Sequence, residues 1–247
     1  MNNNFIKGIK IDWNRVSNNT YIQNITSLQS ISHLEFNNNI TFFVGENGTG
    51  KSTLLESIAV AYGLNPEGGN RNFNFSTMDT HSPLHQAITV IKGPFRPSNS
   101  YFLRAESFYN VATKIEDYRD GDDYASYYQS YGGKSLHEQS HGESFLSLIQ
   151  NRFTSKGLYI LDEPEAALSP QRQLTLLMFI HNLALKGTQF IIASHSPILL
   201  GIPGASILSF DDGNIHEIAY EESESYRITE LFINNRQLLL NNLLSND

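Results

Sequence analysis

The chain has 247 residues, 40% of them hydrophobic and 17% charged, and 25 Asp+Glu against 17 Lys+Arg set a formal net charge of −8. That length holds one sizeable α/β domain with its own core, and residues 1–247 are expected to form one. The absence of cysteine excludes disulfides and thiolate metal sites and fits a reducing compartment. The acidic balance argues against a dedicated nucleic-acid binder, whose footprint is a basic face, while leaving room for a local basic groove.

In chain order, residues 5–44 read mostly as strands and turns, with Asn37-Asn38-Asn39 as a turn before the apolar, β-rich run Ile40 to Val44. The next eight residues, Gly45-Glu46-Asn47-Gly48-Thr49-Gly50-Lys51-Ser52, fit the phosphate-binding P-loop pattern. From Ser52 to Tyr62 apolar residues recur at helical spacing, so the motif sits between a strand and a helix. Residues 63–99 are rich in Gly, Asn, Pro and Ser and read as loops around the segment His85 to Ile91. Tyr101-Phe102-Leu103 reads as a second buried strand. Residues 107–139 are polar and tyrosine-rich, with acidic residues between Asp117 and Asp123, and read as an inserted, partly helical lobe. Ser140 to Arg152 is a helix and Leu158 to Leu161 a buried strand. Pro170 to Lys186 is a long helix with Ser169 as N-cap, Pro170 in the first turn and Gly187 at the C′ position. Gln189 to Ala193 is a further strand. Ser206 to Phe210 and Asn214 to Ala219, joined by Asp211-Asp212-Gly213, form a hairpin. One or two helices span 226–244. Strands alternating with helices imply a mainly parallel sheet. The longest apolar stretch, Leu174 to Leu185, is interrupted by His181 and Asn182, and Met1 to Lys7 lacks the apolar core of a signal peptide. A cytoplasmic protein without an integral membrane segment is therefore expected.

The chemistry concentrates at the strand ends. Gly45, Gly48 and Gly50 allow backbone conformations closed to residues with a Cβ, so the loop from Gly45 through Glu46, Asn47, Gly48, Thr49 and Gly50 can turn its N–H groups inward as an anion nest. The helix start at Lys51, Ser52 and Thr53 adds its positive dipole end. Lys51 can reach the β- and γ-phosphates of a nucleotide, and Ser52 can ligate Mg²⁺. The strand Leu158 to Leu161 ends in Asp162 and Glu163, the Walker B pattern. Asp162 would hold the Mg²⁺ through water, and Glu163 would orient and polarise an attacking water. His195, at the end of the strand Gln189 to Ala193, stands where parallel sheets bind ligands and can hydrogen-bond a γ-phosphate and sense its loss. Ser140-His141-Gly142-Glu143 reads locally as a capping box, which also makes a helix N-terminus with free N–H groups.

Taken together, these residues resemble the ABC-type ATPases over nearly the whole chain. Ser140-His141-Gly142-Glu143 is similar to the family's signature motif, with His141 replacing its first glycine. Ala166-Ala167-Leu168-Ser169 lies at the D-loop, with Ser169 for the usual aspartate. Arg104-Ala105-Glu106-Ser107-Phe108 is similar to the Q-loop, with Glu106 where glutamine is usual. The narrower resemblance is to stand-alone bacterial ABC/AAA-type ATPases akin to the heads of chromosome-maintenance and DNA-repair proteins. It implies a P-loop NTPase fold of the ABC nucleotide-binding type, with a mainly parallel sheet, an N-terminal β-subdomain and a helical lobe at about 107–152. It also implies ATP and Mg²⁺, with Ser52, Asp162 and Glu106 near the metal. Glu163, His195 and Lys51 would be the catalytic groups. Ser140, Gly142 and Glu143 would cap the nucleotide of a second subunit in a transient, ATP-dependent homodimer. Tyr21 or Trp13 is a candidate adenine-stacking aromatic, packing being the alternative.

Two other readings carry the same motifs: the ATP-binding subunit of a membrane transporter, and an ATP-gated module acting with DNA or RNA in repair or defence. The effector, protein or nucleic acid, is not identified by the residues. A GTPase is disfavoured, since Thr113-Lys114-Ile115-Glu116 is a poor guanine motif. A zinc enzyme is disfavoured too, since His81/His85 and His137/His141 have no convincing third ligand.

Overall fold

The computed structural model describes residues 4–17, 19–69, 82–108, 113 and 140–244. Most of the expected helical lobe, including its tyrosine-rich segment and acidic patch, lies outside the described residues, as do His81 and His137.

Two sheets organise the chain. The smaller is antiparallel, in the order β2 (His33–Glu35), β1 (Ile6–Ile11), β4 (Ile88–Lys92). The larger has six strands in the order β5 (Ser100–Arg104), β6 (Leu158–Asp162), β7 (Gln189–Ala193), β3 (Ile40–Val44), β8 (Ser206–Ser209), β9 (His216–Ile218). The first five are parallel and β9 closes the edge antiparallel. The fold is thus the expected α/β class with a mainly parallel sheet and an N-terminal β-subdomain.

The central strands are buried on both faces, as parallel strands between layers must be. Alternate residues serve two cores. Phe42, Tyr159, Leu161, Phe190 and Ile192 face one side. There they meet α3 (His141–Arg152), α4 (Pro170–Ala184) and α5 (Pro197–Leu200) through residues such as Phe145, Leu176 and Leu199. Phe43, Ile160 and Ile191 face the other side, against α2 (Lys51–Tyr62) and the small sheet, through Leu54, Ile58 and Ile9. Burying each large apolar side chain contributes about 1.5–3 kcal/mol, so register in this sheet is strongly specified. The last helix of the expected lobe, α3, therefore packs into the main core rather than standing apart.

Several local expectations are corrected. Residues 5–44 hold more helix than expected: single 3-10 turns at Trp13–Arg15 and Tyr21–Asn24, then the one-turn α1 (Thr26–Gln29). Helix α4 stops at Ala184 with Leu185 as its C-cap, two residues short of the expected end. Gly187, with φ of +80°, is consequently one place beyond the C′ position. The Lys186 and Gly187 N–H groups first bond Leu183 and Ala184 carbonyls in tightened turns, which postpones the left-handed residue. At the C-terminal side, as expected, the chain closes in helix: α6 (Glu224–Leu244) is two helical segments joined across a non-helical kink at Asn235, with no buried residue.

Candidate functional site

Parallel strands aligned by register deliver their carboxyl ends to one edge of the sheet. Across that edge Arg104 pairs with Asp162, Asp162 with Ala193, and Val44 with Ser209. Arg104 and Asp162 each end an apolar strand there, and the β3–β8 pairing sets Val44 beside Ser209 from far along the chain.

The P-loop leaves β3 and enters α2. Gly45, Gly48 and Gly50 take φ of +137°, +86° and +92°, conformations that favour glycine. Gly50 is the N-cap of α2 and places no side chain on the first-turn N–H groups, which leaves them for a ligand. Lys51 is buried, and its Nζ donates to the carbonyls of Gly45 at 2.6 Å and Glu46 at 2.8 Å. Burial lowers its pKa, opposed by the nearby carboxylates of Glu163, Asp211 and Asp162. Ser52 Oγ donates to Asp162 Oδ1 at 2.9 Å. Two of the three residues expected near Mg²⁺, Ser52 and Asp162, are therefore adjacent.

Asp162 is buried at the end of β6, and its carboxyl is pushed up to about 6 by desolvation, against the Arg104 charge and the Ser52 hydrogen bond. Arg104 is the hub behind it. Its Nε lies 3.4 Å from Asp162 Oδ2, one terminal nitrogen 2.6 Å from Glu56 Oε2, and the other 3.6 Å from Glu106 Oε2. Glu106, whose side chain is 83% exposed, joins the cluster through Arg104.

Glu163 is left-handed, with φ of +49° and ψ of +50°, a strained conformation for a residue with a Cβ. Its N–H donates to Ala193 O at 2.9 Å, and its Oε1 lies 3.9 Å from His195 Nε2. Burial, then the Lys51 charge, lowers the His195 pKa, which favours the neutral imidazole. Glu165, two residues after Glu163, accepts the His195 N–H at 2.5 Å, and burial pushes its carboxyl up.

A cleft of about 260 Å³ over the loop is lined by Tyr21, Gly48, Lys51, Ser52 and Glu163. Of the two candidate aromatics, Tyr21 opens onto this cleft, while Trp13 donates its indole N–H to Ile31 O at 2.8 Å and packs on the core. A larger cavity of about 1000 Å³ is lined by Gly48, His195, Asp211, Glu224 and Arg227, among others.

Ser140, Gly142 and Glu143 line neither cavity. The Glu143 carboxylate accepts from the Ser140 N–H at 3.1 Å and Oγ–H at 2.6 Å, and pairs with Arg172 at 2.9 Å. Those Ser140 hydrogen bonds, with Arg172 behind them, hold its pKa below the usual range. A Cβ at Gly142 would lie 2.7 Å from Ala167 O, so glycine lets α3 sit directly on the turn that follows Glu163.

Sequence reasoning missed three groups. Asp211 was read as a hairpin turn residue; its Oδ1 accepts the Glu46 N–H at 2.9 Å. Glu165 and the hub role of Arg104 were also unforeseen. Arg104 follows the same signal as Asp162, a charged residue ending an apolar strand, whereas Asp211 lies two residues past the end of β8.

A family model described as an AAA domain matches residues 21–182. The chain belongs to that family. The matched span of this AAA domain holds the P-loop, Arg104, Ser140 to Glu143, and the Asp162-Glu163 pair. No curated protein matches it. Three solved structures are similar. A metal-chelate type ABC transporter in an inward-facing conformation shares 18% identity, with 94% of this chain and 90% of that chain covered and a TM-score of 0.49. The SMC head domain of Thermotoga maritima shares 14% identity over 86% and 98%, with a TM-score of 0.43. The cbiO1 protein of Clostridium perfringens, part of the ABC transporter complex cbiONQ, shares 14% over 95% and 98%, with a TM-score of 0.45. Among the described residues of the AAA domain no helix is long and apolar enough to cross a membrane.

Proposed function

We propose that this AAA domain hydrolyses ATP to ADP and phosphate with Mg²⁺, in a site completed by a second copy of the chain. The observation that carries the reading is the contact of Ser52 with Asp162, 110 positions apart and 2.9 Å from one another, beneath a cleft that Ser52 lines together with Lys51 and Glu163.

The residues fit Mg²⁺. Among the described residues no group of three His, Asp or Glu side chains can hold a metal alone, but Mg²⁺ is usually held by one or two protein oxygens plus substrate phosphates and water. Asp162 is a buried carboxylate whose ionised form is disfavoured by desolvation, an anion that a cation would stabilise. Ser52 and Asp162 would hold the ion, with Glu106 as an outer carboxylate. Bound Mg²⁺ would neutralise charge on the β- and γ-phosphates.

The chain's own groups account for the remaining chemistry. The P-loop N–H groups from Glu46 to Thr53 cradle the phosphates. Lys51 exchanges its two carbonyl partners for phosphate oxygens. Glu163 accepts a hydrogen bond from the attacking water and takes its proton as the water oxygen bonds to the γ-phosphorus and the bond to the ADP oxygen breaks. His195, neutral, donates a hydrogen bond to the γ-phosphate. Tyr21 flanks the base.

The homodimer reading is supported by the separation of Ser140, Gly142 and Glu143 from both cavities at the P-loop of their own chain. On a partner surface that helix end faces the exposed γ-phosphate, and hydrolysis removes the shared anion. The domain would act in the cytoplasm as a switch for an effector protein or nucleic acid. The test is phosphate release with Mg²⁺ and ATP, together with size-exclusion chromatography of Glu163→Gln. Turnover in the wild type, its loss in the variant and an ATP-dependent dimer are expected. A strict monomer with bound ATP overturns the shared site.

A further inference from the structure

The ladder between β6 and β7 ends with Asp162 opposite Ala193. Beyond that pair the two strand ends diverge, one into the Glu163-Pro164 turn and the other into Ser194-His195-Ser196. They remain tied by two further bonds. Glu163 N–H donates to Ala193 O at 2.9 Å, and His195 N–H donates to Glu165 Oε1 at 2.5 Å. The second bond uses a side chain where a ladder would use a backbone carbonyl. Its neighbours are fixed as well: Ser194 N–H donates to Phe43 O, and Ser196 N–H to Ser194 Oγ.

Glu165 is a costly way to make that bond. Its Oε2 is buried without a hydrogen-bond partner among the described residues, although the Ser194 side chain and the Glu165 backbone also favour its charged form, and a half-satisfied buried carboxylate is destabilising. His195 Nε2 is likewise buried and without a hydrogen-bond partner among them, 3.9 Å from Glu163 Oε1. The clasp therefore holds an imidazole and a carboxylate 3.9 Å apart before any substrate supplies their partners.

We propose that Glu165 is a positioning residue: by accepting the His195 N–H it locks the His195 loop to the Walker B turn, so that Glu163 and His195 keep one spacing and meet the γ-phosphate together. Glu165 lines neither of the two cavities at the P-loop. The inference rests on the ATPase reading above and names a residue that the reading does not use.

Because the function is acceptance of one hydrogen bond, an amide can perform it and a methyl cannot. Glu165→Gln and Glu165→Ala are compared with wild type and Glu163→Gln in steady-state ATP turnover, with KM and kcat separated and melting temperature recorded. Glu165→Ala is expected to lower kcat about tenfold or more with KM within about twofold, and Glu165→Gln to restore most of kcat. Wild-type kcat in Glu165→Ala overturns the proposal, as does a Gln variant no better than Ala while both remain folded. Should Glu165→Ala fail to fold, the Gln variant decides alone: kcat within about threefold of wild type is expected, and a tenfold loss overturns the acceptor role. A wild type that turns over no faster than Glu163→Gln overturns the ATPase reading instead.

Discussion

Two helix N-termini flank the Glu163 turn, and they treat their free N–H groups in opposite ways. Helix α2 starts behind Gly50, which has no side chain to offer. Helix α3 starts behind Ser140, whose N–H and Oγ are already bonded to Glu143, itself paired with Arg172. Both ends carry a positive dipole. Only the first is lined by a cleft with a buried lysine. A helix dipole is thus general, and the two ends differ in their caps: Gly50 places no side chain on the first turn of α2, whereas Ser140 and Glu143 close a capping box on α3.

The comparison is broken most severely at the open end. Lys51→Ala should lower phosphate release by about 10²–10³-fold, the usual loss when one preorganised charge stabiliser is removed, with folding intact by circular dichroism. An equally active variant would show that the α2 end is no more than a glycine-rich turn.

A second test uses pH. Without nucleotide, Asp162 titrates at about 6, above its ordinary value, so the folded chain holds the proton more tightly than the unfolded one. The stability this supplies, on the order of 3 kcal/mol, is fully present below the unfolded value near 4. It is lost as pH rises through about 6. Melting temperature without nucleotide should therefore fall across about pH 4–6, and Asp162→Asn should lack that slope. Mg²⁺ with ATP selects the deprotonated form, so its binding should weaken about tenfold per pH unit below about 6, measured by fluorescent-nucleotide titration.

The satisfied end gives smaller effects. Gly142→Ala places a Cβ 2.7 Å from Ala167 O and should cost about 1–3 kcal/mol in denaturant unfolding. Ser140→Ala removes the cap residue and should cost about 1 kcal/mol while leaving nucleotide binding to the monomer unchanged. If Ser140→Ala abolished binding by the isolated monomer, the α3 end would belong to its own chain's site.

Strands β3, β6 and β7 were legible in the sequence because burial on both faces leaves uninterrupted apolar runs, and the residues that end them marked the edge where Lys51, Asp162 and His195 gather. The P-loop was legible for a local reason, since its glycines encode backbone angles. Trp13–Arg15 and Tyr21–Asn24 were not, because one helical turn is too short to show a period. Asp211 and Glu165 were missed for a different reason: their partners are set by sheet register, 165 and 30 positions away, and a lone carboxylate in a turn looks the same with or without such a partner. The end of α4 was misplaced because Gly187 marks the close of the connecting turn, not of the helix.

Asp211 has a kinetic consequence. A nest emptied of phosphate has every reason to collapse, its amides seeking the nearest carbonyl. Here the β8–β9 turn lends a carboxylate to one of those amides, so the Glu46 N–H is held by an anion of the chain itself. An arriving triphosphate then competes with one tethered side chain instead of rebuilding the loop. On the ATPase reading proposed above, Asp211 must release the Glu46 N–H before a phosphate can take it.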